Sequence, residues 1–124
     1  MKRILLVDDS EMARKAIKLF LEAQGYACDE AEHGAAAFVR LHEGHGIDLV
    51  ISDNQMPVMT GLELLKKVAG HPDLHSLPFI LNSSNVTEAL RDQALQAGAY
   101  AVLSKPTDFS ELVRAINTAL CPTI

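Results

Sequence analysis

Short, continuously apolar runs alternate along this chain with longer segments whose apolar positions recur every three or four residues. The runs fall at Ile4–Val7, Leu49–Ser52, Phe79–Leu81 and Tyr100–Leu103, with a weaker one at Tyr26–Ala31. Unbroken apolarity over so few residues is the pattern of a strand covered on both faces, as in a parallel sheet. Between the first two runs, Glu11–Gln24 carries Met12, Ala16, Leu19, Phe20 and Ala23 at helical spacing, which predicts an amphipathic helix. Gly25, Gly44, Gly70 and Gly98 each follow a helix-like segment, where a left-handed residue commonly closes a helix. Ser10 is placed to cap the first helix, and Asp108 with Glu111 resembles a capping box for the last. Regular alternation of strand and helix implies right-handed crossovers and an open, helix-covered sheet. No linker, repeat or low-complexity tract interrupts the 124 residues, so the expectation is one α/β domain over 1–124.

Composition narrows the class. Apolar residues make up 48% and charged residues 22%, ordinary values for a soluble domain. The formal charge of −5 argues against non-specific binding to nucleic acid or an anionic membrane. No apolar run approaches the ~20 residues of a membrane span. Asp8, Asp9 and Glu11 interrupt the apolar stretch after Met1-Lys2-Arg3, which argues against a signal peptide. Cys28 and Cys121 form neither a disulfide framework nor a metal knuckle, so a cytoplasmic location is expected.

In open α/β sheets the site lies outside the carboxyl ends of the strands. Here the first strand ends in Asp8-Asp9, the third in Asp53, the fourth in Ser83-Ser84 and the fifth in Lys105-Pro106. The second ends near Glu32 and His33 without a comparable cluster. Three carboxylates crowded together repel one another, and a hard divalent cation relieves that repulsion. Magnesium suits the set, since it takes one or two carboxylates and leaves positions for phosphate oxygens. Lys105 and the Ser83 hydroxyl would meet further phosphoryl oxygens, which supplies the electrostatic parts of phosphoryl transfer. A carboxylate is then the nucleophile, forming an aspartyl phosphate.

Val7-Asp8-Asp9-Ser10, Asp53 with Met56-Pro57 and Gly61, Ser83-Ser84 and Lys105-Pro106 together resemble the receiver domain of two-component response regulators, of the single-domain chemotaxis type. The resemblance covers essentially the whole chain. It implies a flavodoxin-like (βα)5 fold, with a five-stranded parallel sheet in the order 2-1-3-4-5 and helices on both faces. It implies that Asp53 accepts a phosphoryl group from a phosphohistidine on a sensor histidine kinase or a histidine phosphotransfer protein. Asp9, Asp53 and the backbone carbonyl of Gln55 would bind Mg2+ directly, and Asp8 mostly through water. Lys105 would hold a phosphoryl oxygen, with a cis bond to Pro106, and Ser83 would report the phosphoryl group. The chain would turn over no substrate beyond its own phosphoryl group. Its output would be contact with a downstream protein through the fourth helix, fifth strand and fifth helix, from a monomer, with no direct nucleic-acid contact and no membrane insertion. Only Cys121 to Ile124 follow the last expected helix, which leaves no room for an output domain; a receiver excised from a larger hybrid protein would look the same, and a phosphorylation-independent binding module is the further alternative.

Two positions depart from the family's pattern. Val102 stands three residues before the lysine, where the family usually has an aromatic; Tyr100 lies two residues earlier on the same strand face. Gln55 and Asn85 occupy the two positions that in the family tune attack of water on the acyl phosphate. Other residues have simpler readings. His42 with His45, and His71 with His75, are read as surface pairs without metal, His33 as no general base, and Gly61 as a positive-φ or helix-start residue. Cys28 is read as buried or half-buried. Arg14, Lys15 and Lys18 form a basic strip, either a solvated face or a docking strip for an acidic partner. A haloacid-dehalogenase-like phosphatase would need a second Asp where Ser10 stands, and a flavodoxin-like carrier would need a phosphate loop where Asp8-Asp9-Ser10-Glu11 stand.

Overall fold

The computed structural model describes residues 2–43 and 46–120. Five strands, β1 (Arg3–Val7), β2 (Ala27–Ala31), β3 (Leu49–Ser52), β4 (Phe79–Ser83) and β5 (Ala101–Ser104), form one sheet in the order β2-β1-β3-β4-β5. Every pairing is parallel. Five helices alternate with them: α1 (Glu11–Ala23), α2 (Gly34–His42), α3 (Gly61–Ala69), α4 (Glu88–Ala97) and α5 (Phe109–Leu120). α1 and α5 cover one face over Ile4, Leu6, Leu49, Ile51 and Ile80; α2, α3 and α4 cover the other over Leu5, Val7, Val50, Phe79 and Leu81. Period-two alternation of these strand residues thus feeds two cores, and this is why the central strands carry unbroken apolar runs.

The helices begin where polar side chains satisfy free backbone N–H groups. Ser10 Oγ accepts from Ala13 N at 3.2 Å, and Asp108 accepts from the N–H groups of Ser110 and Glu111 at 2.9 and 3.2 Å. Thr60 and Glu63 form a reciprocal capping box at α3. His33 caps α2, its Nδ1 accepting from Ala36 N at 3.1 Å, which accounts for that histidine structurally.

Three local expectations are corrected. α1 buries Ile17 and Leu21, whereas Met12 and Leu19 are 84% and 74% exposed. The helix carries two apolar stripes at helical spacing, and the sheet takes the one that carries Ile17 and Leu21. Gly25 and Gly98 close their helices with φ of 96° and 111°, but Gly70 is right-handed at −87°. The basic strip is not a free docking strip, although Lys15 stays exposed. Arg14, Lys15 and Lys18 all pair with Glu30 on β2, at 3.0, 2.8 and 3.3 Å.

Cys28 is buried, and burial, reinforced by the charge of Glu22, pushes its thiol up to about 11. Gly44, His45 and Cys121 lie outside the described residues.

Candidate functional site

Backbone hydrogen bonds carry the strand ladder one step beyond the regular strands and deliver the site residues to the carboxyl edge. Asp8 N donates to Ala31 O at 3.2 Å, Asp53 N to Val7 O at 2.9 Å and Lys105 N to Ser83 O at 2.9 Å. Asp8 and Asp53 are 6% and 8% exposed, Ser83 is fully buried and Asp9 is exposed. A carboxylate oxygen from each of Asp8, Asp9 and Asp53 lies within 4.8 Å of the others. The Lys105 ammonium donates to Asp8 Oδ2 at 2.7 Å and to Asp53 Oδ2 at 3.4 Å, and the Lys105–Pro106 bond is cis.

Electrostatics follow from this crowding. Burial raises the Asp53 carboxyl above the usual carboxylate range, against the pull of Lys105 and with the charge of Asp8 adding to the rise. Burial pulls Lys105 the other way, but its hydrogen bond to Asp8 and the charges of Asp53 and Asp8 outweigh that and leave it raised. The ammonium therefore stays charged between two carboxylates. The donor set fits a hard cation: three convergent carboxylates, oxygen ligands only and one exposed member through which water and phosphate can enter.

The loop after Asp53 is pinned by close approach. A Cβ on Gly61 would lie 2.3 Å from Asp53 O and 2.7 Å from a Leu81 methyl, so only glycine fits there. Its φ lies outside the left-handed region, so helix start, not positive φ, is the role. Gly61 N donates to Asn54 O and Leu62 N to Asn54 Oδ1, which locks the segment beside the acidic pocket. Gln55 N donates to Asp53 Oδ1 at 3.3 Å, while its side chain accepts from Ser84 at 3.3 Å and spans to the β4–α4 loop. Ser83 Oγ accepts from Asn85 N at 3.4 Å. Val102 is buried, and its carbonyl accepts from Arg91 at 3.0 Å. Tyr100 sits half-exposed before β5, at the strand's opposite end from the site, and does not fill an aromatic's place there.

Three supporting residues have no clear mark in the sequence. Arg14 reaches from α1 to Asp8 O at 2.6 Å while Glu30 holds its Nε, so a β2 carboxylate steadies the β1 end through α1. Two adjacent acidic residues on an edge strand, Asp29 and Glu30, are the one hint, since one of them must point to each face. Asn82 is buried beside Ser83 and donates to Thr107 Oγ1 at 3.1 Å, which ties β4 to the loop carrying Lys105. Among the described residues its Oδ1 has no hydrogen-bond partner, and Asn82 lines a cavity of about 10 Å3 with Asp8, Arg14 and Asp53, roughly room for one water.

The profile of the family described as "Response regulator receiver domain" matches residues 4–117. The two-component response regulator ORR13 of Oryza sativa subsp. japonica is 33% identical over 115 residues, covering 92% of this chain and 94% of that protein. Other curated relatives, 31–35% identical, are longer, and the chain spans only 13–56% of their length. Among solved structures, the Vibrio cholerae chemotaxis protein CheY4 superposes with a TM-score of 0.89 at 28% identity, covering 97% of this chain and 99% of that one. TrrA of Thermotoga maritima, solved in complex with Mg2+–BeF, gives 0.86 at 32% identity, with 97% and 100% covered. This chain belongs to the response regulator receiver domain family, the phosphorylation-controlled domain of two-component signalling.

Proposed function

We propose that Asp53 is the phosphoacceptor of a histidine-to-aspartate phosphotransfer. The observation that carries this is the contact of one ammonium, Lys105, with both buried carboxylates of the acidic pocket, beside the exposed Asp9. An Asp53 carboxylate oxygen attacks the phosphorus of a donor phosphohistidine. The phosphorus–nitrogen bond breaks, its electron pair returns to the imidazole, and an acyl phosphate forms on Asp53. Lys105 pairs with an equatorial phosphoryl oxygen, and the Ser83 hydroxyl donates to another. Asp9, Asp53 and the Gln55 carbonyl would hold Mg2+ directly, with Asp8 acting through water. When bound, Mg2+ neutralises charge developing on the phosphoryl oxygens.

The donor is a sensor histidine kinase or a histidine phosphotransfer protein. It docks on the exposed apolar stripe of α1, Met12, Ala16, Leu19 and Ala23, beside the basic strip whose three cations are already engaged by Glu30. Output runs through the α4–β5–α5 surface, where Leu95 and Tyr100 are exposed, to a downstream protein. The domain works in the cytoplasm and transforms no substrate beyond its own phosphoryl group; among the described residues no helix is long and apolar enough to cross a membrane.

Incubation with acetyl phosphate tests this. A phosphoryl-sized mass gain that needs Mg2+ and disappears in Asp53→Asn is expected. A gain of equal size in Asp53→Asn would refute it.

A further inference from the structure

At the amino edge of the sheet, opposite the acidic pocket, two histidines from different elements meet. His42 ends α2 and His71 follows α3, and their Nε2 atoms lie 3.0 Å apart. The rings are nearly perpendicular, at 86°, with centroids separated by 4.6 Å, and both make T-shaped contacts with Phe38. The sequence spacing puts His42 near His45 and His71 near His75, read as surface residues without metal; among the described residues folding joins His42 to His71, while His75 Nδ1 turns to Pro72 O.

Two imidazole nitrogens on one zinc-type ion, each about 2.0–2.1 Å from it, stand about 2.9–3.4 Å apart for angles between square-planar and tetrahedral. The observed separation falls in that interval. We propose that His42 and His71 form a two-histidine site for a borderline divalent cation of the zinc, nickel or copper type.

The surroundings suit such an ion. His42 Nδ1 lies 2.9 Å from Phe38 O, to which it donates, so its Nε2 lone pair faces His71. A ligating histidine commonly has its other ring nitrogen anchored to a carbonyl in this way. His71 Nδ1 accepts from Asp73 N at 3.1 Å, so in the metal-free protein its Nε2–H donates to His42. The ion takes the place of that proton, which moves through solvent to His71 Nδ1 and displaces the Asp73 amide; the charge of the pair is unchanged. Beside the pair lies a cavity of about 490 Å3, lined also by Asp48 and Asp73, with room for the waters that complete the coordination. Nitrogen donors prefer these metals over magnesium, whereas the oxygen-only pocket at the other edge has the reverse preference. The ion would tie the end of α2 to the segment after α3.

Titration of the full chain with Zn2+ and Ni2+, in excess Mg2+ to fill the acidic pocket, tests the site by calorimetry and thermal midpoint. One ion bound per chain, with a raised midpoint, is expected for wild type, His75→Gln and Asp53→Asn. Both effects should vanish in His42→Gln and in His71→Gln, whose metal-free midpoints stay close to wild type. Cu2+ should show hyperfine coupling to two nitrogens. Binding that survives loss of either histidine, or a wild-type midpoint unmoved by either metal, overturns the proposal.

Discussion

Lys105 makes its shortest ion pair with Asp8, 2.7 Å from Nζ to Oδ2, while Asp53 Oδ2 stands 0.7 Å further off at 3.4 Å. In this arrangement the ammonium holds two buried like charges together, and only Asp9 of the acidic set is exposed. Lys105→Met leaves both carboxylates buried without a cation. Loss of about 1–3 kcal/mol is expected, less than a fully buried pair would cost because the pocket opens to solvent. Mg2+ should recover more stability in the variant than in wild type. Urea unfolding with chelator and with Mg2+ measures both; equal midpoints in chelator would show that the ammonium is not the pocket's counter-charge.

Glu30 gathers three cations, and the hydrogen bond from Lys15, followed by those from Arg14 and Lys18, lowers its carboxyl from 4.5 to about 2 against the opposing effect of burial. A carboxyl depressed in the folded state stabilises the protein fully above its unfolded value and loses that contribution as pH falls through the folded value. Glu30→Gln should therefore cost about 1–2 kcal/mol at neutral pH, after allowance for solvent screening. The gap to wild type should close between pH 4.5 and about 2. A gap independent of pH would assign the loss to packing instead.

Val58 is a β-branched residue at φ 71°, 91% exposed, with Met59 N bonded to Pro57 O at 2.7 Å across it. This is a γ-turn of the strained, positive-φ kind, set in the loop beside the acidic pocket. Val58→Gly removes about 1–3 kcal/mol of strain and adds about 0.5–1 kcal/mol of unfolded-state freedom, so a net gain in stability is expected. Thermal or urea unfolding checks it, and a destabilised variant would mean that the valine side chain contributes packing.

Leu19→Glu places a charge on the exposed α1 stripe without touching the pocket. Phosphotransfer from the partner kinase should fall by tenfold or more, about 1.4 kcal/mol, while acetyl phosphate should react at the wild-type rate. Equal transfer by both donors would move the docking surface elsewhere.

The strand ends were legible because each apolar run stops abruptly at a polar or charged residue, and the topology converts those stops into one edge. Asp8, Asp9, Asp53, Ser83 and Lys105 are therefore legible as one set in the sequence. The buried side of α1 is not, because Met12–Leu19 and Ile17–Leu21 satisfy the same helical spacing, and only the sheet chooses between them. Glu30 is only hinted at as an organiser by its place beside Asp29, since its three partners sit 12 to 16 residues away on another element. The His42–His71 pair joins residues 29 apart, a separation that no local pattern reveals. Gly61 was recognisable as special, but its reason, a Cβ that would collide with Asp53 O, is a property of the assembled loop.

The central claim is that the phosphoryl group resides on Asp53. Borohydride reduces an aspartyl phosphate to homoserine, so trapping after reaction with acetyl phosphate and Mg2+, followed by peptide mass mapping, locates the acceptor. Homoserine at position 53 alone is expected, with none formed in Asp53→Asn. Homoserine at position 8 or 9, or a stable phosphoryl group on a histidine, would contradict the assignment.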